Sequence, residues 1–468
     1  MKPLTKTFVH RWSLPALLLL FILVSCQKEK EQVAGDAESL VTQGRNSDQG
    51  HLKQTKTFSA AGAMKWHDLQ LRLLWYHGGN PAYTFATYGL HGSRFFAYQG
   101  IALYESVVPG MPSYRSLSGQ LNQVPAMPST EPGRAYHWAA SANAALHYLT
   151  KNFYTRGFTQ NLAAIDSLYQ ALKTEYQQQA DAATFERSEK FGLDVAKLVF
   201  EWSKTDGASA PCTFTLPPDP TNTKWSNTAP NPTTMAFPCW GNNRYFVPGS
   251  NYNVVSPLPP PYSTQPGSAY RQMVEEVYNI SQSLTTEQKA TATYFLDNPG
   301  LGAGAHYQAI FNQVMNAENP QLDFYAEAQA KVGMALAETQ IHCWWVKYTT
   351  FVDRPTRYIR DILGHTTWTS YLPMPNHPDF PSGHSQTGGA FASVMSSIFG
   401  ADYPITLHTY DHIGLAPRPY PSFDAMTDDI GISRVYGGIH YRYSCEEGKK
   451  QGWKIGENIL NILQFKKE

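Results

Sequence analysis

An all-α fold, a large helical bundle interrupted by one Pro-rich irregular insertion, is what this chain predicts, and three observations predict it. Apolar residues recur at three- and four-residue spacing through long stretches, which gathers them on one face of a helix. No stretch sustains the strict alternation of a half-buried strand. One segment, 208–266, is so crowded with Pro, Asn, Thr and aromatic residues that neither period can hold there.

Residues 1–25 read as a leader ahead of the fold. Lys2, Lys6, His10 and Arg11 precede an apolar run from Leu14 to Val24 that is too short for a membrane span. The run ends in Leu23-Val24-Ser25-Cys26, which resembles a bacterial lipoprotein cleavage box. Cys26 is therefore expected to become the lipidated first residue, a lipid anchor holding an exported protein in the bacterial cell envelope, at the periplasm or the outer-membrane surface. Residues 26–56 are polar and aperiodic and read as a flexible tether. The folded domain is expected over 57–468.

Within it, helical periodicity predicts helices over 92–108, 134–153, 162–179 and 182–202. The next runs from Ser268, a candidate N-cap, to Ile280, and another follows over 285–296. A long helix is expected over 322–348, with Ala328, Val332, Ala335, Leu336, Thr339, Cys343 and Val346 on one stripe. That stripe reads as bundle core. Further helices are expected over 382–399 and 445–463. Insertion 208–266 carries Pro217-Pro218 and Pro259-Pro260-Pro261 and reads as a structured excursion over the bundle. Beyond Cys26 the cysteines are Cys212, Cys239, Cys343 and Cys445. In an oxidising compartment the first two, both in the insertion, are the expected bridge. Cys343, inside a helical pattern, reads as a buried apolar residue.

Lys+Arg and Asp+Glu balance at 37 each, which excludes nucleic acid as a main partner and leaves any positive field local to a site. The chemistry lies in the last quarter. Lys347 stands seven residues before Arg354-Pro355; Pro381-Ser382-Gly383-His384 follows; Ser433-Arg434 precedes His440. Taken singly, each has a structural reading: a solvated helix face, a helix entry with Ser382 as N-cap, a core histidine. Together they supply one Lys, two Arg, two His, a hydroxyl and a glycine amide. That set suits a small tetrahedral oxyanion, since Arg offers a fork of donors and Lys a point charge.

The three clusters, in this order and spacing, resemble the motifs of the superfamily joining vanadium-dependent haloperoxidases to type 2 phosphatidic acid phosphatases and bacterial acid phosphatases. The similarity extends to Phe95-Phe96-Ala97-Tyr98, to Phe295-Leu296-Asp297 with His306 nearby, and to the helix ending in Trp344-Trp345-Val346-Lys347. Over about 71–463 the chain is similar to the bacterial vanadium haloperoxidases. The resemblance implies a helical bundle with vanadate held at helix ends deep in a funnel. His440 would be the vanadium ligand. Lys347, Arg354, Ser382, Gly383 and Arg434 would bind the oxyanion's oxygens, and His384 would be the acid–base group that deprotonates hydrogen peroxide. Lys347 would polarise the peroxide for attack by halide. Asp297 is expected to orient Arg434. Trp344 is expected to wall the halide site. His377 stands seven residues before His384, where bromoperoxidases carry His and chloroperoxidases Phe; iodide and bromide oxidation to hypohalous acid is therefore expected.

One departure stands out. Phosphatase relatives carry Asp four residues after the last His, where this chain has Ser444. That weakens the alternative, a phosphomonoesterase acting through a phosphohistidine at His440. It leaves open what holds His440 in its tautomer. A third reading, a surface lipoprotein that keeps the fold without catalysis, conflicts with the presence of every charged member of the site. The reading leaves room for an oligomer.

Overall fold

The computed structural model describes residues 53–74, 89–154, 159–226, 235–297 and 301–467. The expected leader, the Cys26 anchor and most of the tether lie outside the described residues, as do residues 298–300.

The described residues are organised around helices, in agreement with the all-α expectation. In chain order these are α1 (Ala61–Leu74), α2 (Leu90–Val107), α3 (Trp138–Phe153), α4 (Thr159–Gln177) and α5 (Ala182–Ser203). After the insertion come α6 (Ala269–Gln282), α7 (Thr286–Tyr294), α8 (Gly302–Glu318), α9 (Leu322–Thr350) and α10 (Pro355–Asp361). The last are α11 (Gly383–Phe399), α12 (Phe423–Tyr436) and α13 (Arg442–Ile462). Starts are set by side-chain caps. Ser268 accepts from the Arg271 amide, and Thr285 forms a reciprocal capping box with Gln288.

Two pairings dominate the architecture: α2 on α9 and α11 on α13, with α9 also packed on α11. The foreseen stripe of α9 is buried, but so is most of the rest of that helix, because it runs through the middle of the bundle. The α11–α13 crossing is unusually close. A Cβ on Gly452 would lie 1.7 Å from the Gln386 carbonyl oxygen, and one on Gly389 would lie 2.1 Å from that of Lys449. Only hydrogen allows that approach, and it fixes the end of α11 that carries Ser382 and His384.

Helices α1, α8, α10 and α12 were not among the sequence expectations. Helix α10 is seven residues long, too short for a period to show. Helix α8 opens on Gly302-Ala303-Gly304-Ala305, small residues that blur the pattern, and Gly431 and three Asp do the same in α12. A short antiparallel pair, β1 (Ile405–Leu407) with β2 (Arg418–Tyr420), joins α11 to α12.

Between α5 and α6 the described residues are extended and turning apart from one 3-10 turn at Trp240–Asn242, as the prolines require. Cys212 and Cys239 are disulfide-bonded, with Cα atoms 5.8 Å apart. The insertion is hydrogen-bonded onto the bundle: the Trp225 amide donates to the Phe351 carbonyl at 2.7 Å, and the Ala236 amide to that of Asn376 at 2.9 Å. Cys343 and Cys445 are free and buried.

Candidate functional site

The predicted residues converge where the C-terminal end of α9, the N-termini of α10 and α11, and the end of α12 meet. Lys347 sits in the last turn of α9, which stops when Phe351 turns left-handed (φ 52°). Arg354 is the residue before Pro355, whose ring starts α10 at N1. Ser382 is the N-cap of α11, with Gly383 and His384 in its first turn. Arg434 lies in the last turn of α12, and His440 follows in the short link to α13.

His384 is the acid–base candidate, and its geometry suits that task. Its Nε2 lies 2.8 Å from an Asp297 carboxylate oxygen and 3.1 Å from Arg434 Nη1. A carboxylate needs a proton on its partner, so Nε2 carries the hydrogen and Nδ1 keeps the lone pair. Burial, then the Arg434 charge, lower this imidazole below its ordinary value despite Asp297. The ring is 23% exposed, so it can reach a substrate.

Asp297 corrects an expectation. Its carboxylate is bonded to His384, to His306 Nδ1 at 2.9 Å and to the Tyr410 hydroxyl at 2.8 Å; it orients the acid–base histidine, not Arg434. Burial works to raise this carboxyl, but His306 and His384 outweigh it and hold it well below the usual range. Its left-handed backbone (φ 60°) is one that Asp tolerates. Arg434 is instead tied to the Phe295 carbonyl at 2.6 Å.

Lys347 is a second correction. All three of its ammonium protons are spent on carbonyls, those of Pro378 (2.8 Å), Asp379 (2.8 Å) and Pro381 (2.5 Å). It braces the loop into α11, and burial lowers its pKa. Arg354 is similarly engaged: Nε donates to the His377 carbonyl at 2.9 Å, Nη1 to that of Ile439, and Nη2 to His377 Nδ1 at 3.1 Å.

Unspent donors remain at the site. Arg434 is buried, yet its Nε and Nη2 have no partner among the described residues. The amides of Gly383 and His384 precede the first intrahelical bond, from the Gln386 amide to the Ser382 carbonyl, and lie at a positive helix end. Ser382 Oγ accepts from the Ser385 amide and hydroxyl. Beside these, His440 Nε2 lies 3.4 Å from Arg354 Nη1. Burial, then Arg354 and Lys347, push this imidazole far below its ordinary value, so it is neutral and Nε2 is a lone-pair donor. Cationic and amide donors around one imidazole nitrogen suit a tetrahedral metal oxyanion bonded to that nitrogen.

Trp344 and His377 face each other with ring centroids 5.2 Å apart. Trp344 Nε1 donates to the Ala236 carbonyl at 3.1 Å, and Tyr348 donates to the same oxygen at 2.7 Å. The insertion therefore helps build this wall. His377 Nδ1 lies 3.1 Å from Arg354 Nη2 and 3.2 Å from the Pro378 carbonyl.

Sequence reasoning missed Asp379. It is fully buried, with Oδ1 2.8 Å from His440 Nδ1 and Oδ2 bonded to the Ser444 hydroxyl. The contact to His440 is close but not an aligned hydrogen bond. The available signal was a lone carboxylate between Pro378 and Pro381, immediately ahead of a histidine motif. Tyr410, the third partner of Asp297, was also missed; it arrives from the β1–β2 connection, for which the sequence carries no marker.

Bundle and cradle together define the class: a helical-bundle protein built to hold a tetrahedral oxyanion against a histidine. A family model described as the second helical-bundle domain of vanadium chloroperoxidase matches residues 327–466. A vanadium-dependent bromoperoxidase of Ascophyllum nodosum is 29% identical over 109 residues, a match covering 20% of this chain and 19% of that protein's length. The solved structure of a bacterial vanadium-dependent iodoperoxidase aligns with a TM-score of 0.76 and 28% identity, covering 88% of this chain and 98% of that one. That of a bacterial vanadium-dependent chloroperoxidase, at 18% identity and a TM-score of 0.59, covers 82% and 94% and shares the fold. In fold the chain is similar to the bacterial vanadium haloperoxidases, and over 327–466 to the helical-bundle domain of that family model.

Proposed function

We propose that this protein is a vanadate-dependent haloperoxidase that oxidises iodide, and also bromide, with hydrogen peroxide to hypohalous acid. The observation that carries the reading is the pair of unpartnered buried donors on Arg434 beside a neutral His440 and a carboxylate-held His384. Vanadate would supply a Lewis-acidic centre that activates peroxide without changing oxidation state. Arg434, Ser382 and the Gly383 amide would hold its oxygens, and His440 Nε2 would be the protein ligand. His384 Nδ1 takes the proton of entering hydrogen peroxide, while Asp297 keeps Nε2–H in place. Trp344 and His377, which offers an N–H and no charge, form the wall against which halide approaches.

Protein loaded with orthovanadate should oxidise iodide and bromide on addition of peroxide, with no activity before loading. His440→Ala should lose vanadate retention, whereas His384→Ala should keep vanadate and lose turnover. Rapid hydrolysis of p-nitrophenyl phosphate with no halide oxidation after loading would overturn the reading in favour of a phosphomonoesterase. One observation favours that alternative: Asp379 provides the carboxylate beside His440 that Ser444 does not.

The same reading places the protein outside the cytoplasm, exported and anchored through a lipidated Cys26. The Cys212–Cys239 disulfide supports an oxidising compartment. Among the described residues no helix is long and apolar enough to cross a membrane. Globomycin treatment of expressing cells should leave the unprocessed precursor; unchanged processing would remove the anchor from the proposal.

A further inference from the structure

A histidine that bonds a metal through Nε2 must carry its proton on Nδ1, and something must accept that proton. We propose that Asp379 is the positioning residue for His440, and that Ser444 is its anchor. The inference rests on the reading of His440 as the vanadate ligand.

Four observations carry it. First, Asp379 Oδ1 lies 2.8 Å from His440 Nδ1, on the side of the ring away from Arg354. Secondly, no other group among the described residues bonds that nitrogen. Thirdly, Asp379 Oδ2 is bonded to the Ser444 hydroxyl, one turn into α13, so the carboxylate is tied to the helix that directly follows His440. Fourthly, the Asp379 backbone is fixed at both ends: its amide donates to the Val352 carbonyl at 2.9 Å, and its carbonyl accepts from Lys347 at 2.8 Å. The carboxylate is thus placed by the backbone, and Lys347, with no proton left for the cavity, spends them holding this loop. The Nδ1–Oδ1 contact is close but unaligned, and neither atom has another hydrogen-bond partner among the described residues. Asp379, His440 and Ser444 are 0%, 3% and 0% exposed, so water does not replace the carboxylate.

The test uses Asp379→Asn, Ser444→Ala and the exchange variant Asp379→Ser with Ser444→Asp, in the full chain. Histidine-¹⁵N NMR, assigned with His440→Gln, reads the His440 tautomer without any added oxyanion. Equilibrium dialysis reads orthovanadate affinity. Wild type should show Nδ1 protonated. Asp379→Asn should mix the tautomers and weaken vanadate binding by about 10–100-fold, the usual loss for such a partner. Ser444→Ala should weaken it several-fold. The exchange variant, which returns a carboxylate to the neighbourhood of the ring from α13, should regain at least tenfold of the loss. An unchanged tautomer in Asp379→Asn, or an exchange variant no better than Asp379→Ser alone, would overturn the proposal. If Asp379→Asn fails to fold, Ser444→Ala and the exchange variant decide the matter. A wild type that binds no vanadate would defeat the functional reading, while the tautomer measurement still judges Asp379.

Discussion

Replacing Asp297 tests whether His384 is held for proton transfer. Three buried or partly buried groups converge on this carboxylate: His384, His306 and Tyr410. In Asp297→Ala all three lose their acceptor. Leaving a buried donor unsatisfied costs about 1–3 kcal/mol, so allowing for relaxation the variant should lose roughly 3–6 kcal/mol of stability. Alanine also tolerates the φ of 60° less well than Asp. Asp297→Asn separates the two effects. It keeps the size, the backbone preference and one acceptor oxygen, and should lose only about 1–3 kcal/mol. It removes the charge that keeps the proton on His384 Nε2, and presents an amide that can donate to that nitrogen and turn the tautomer. General acid–base groups contribute about 10²–10⁴ in rate, so kcat for iodide should fall by that order with the thermal midpoint only slightly lowered. Thermal unfolding and steady-state iodide oxidation on the same vanadate-loaded sample measure both. A variant with a lowered midpoint but wild-type kcat would refute the argument and make Asp297 a packing residue.

Three further outcomes are expected. Gly452→Ala must push α13 off α11 against the Gln386 carbonyl and should cost about 1–3 kcal/mol or more, whereas a Cβ on Gly383 meets nothing closer than 3.4 Å and Gly383→Ala should keep the wild-type thermal midpoint. His377→Phe removes the ring nitrogen beside Arg354 Nη2 and the imidazole facing Trp344, so the ratio of kcat/KM for bromide to that for iodide should change at least about fivefold; an unchanged ratio removes His377 from halide choice. Because His384 is lowered from 6.5 and works as a neutral base, kcat should fall with acidity only below that value. The fold binds fewer protons there than the unfolded chain, so stability too should drop as pH falls below 6.5; an acid limb above it would contradict the assignment.

What the sequence made legible follows local rules. Helices α5 and α6 were readable because each combines an apolar period with a side-chain cap, Asp181 and Ser268. The site residues were readable because they cluster in short segments: Ser382, Gly383 and His384 are neighbours, and Arg434 stands six residues before His440. Partners that arrive from elsewhere in the chain were not. Tyr410 reaches Asp297 across 113 residues, and Asp379 reaches Ser444 across 65. The role given to Asp297 failed for the same reason. Proximity to an arginine in space does not say which of two neighbouring donors takes the carboxylate, and here His384 and His306 lie within bonding distance while Arg434 bonds a carbonyl. Lys347 looked like a free charge because sequence cannot show the three carbonyls that consume it.

That division between spent and unspent donors explains how the site keeps three cations buried together without an anion. Lys347 and Arg354 face carbonyl oxygens of the 377–381 loop and of Ile439, which supply partial negative charge without adding a carboxylate to the cradle. Of the two carboxylates nearby, Asp297 bonds His384 and His306, and Asp379 lies against His440, both from outside it. Only Arg434 is left with open donors, and they sit beside the free amides of α11. On the proposed reading, an oxyanion would find its open charged donors at Arg434. The other two cations hold the loop and the His440 nitrogen ready, so binding need not reorganise the charges that strengthen the site.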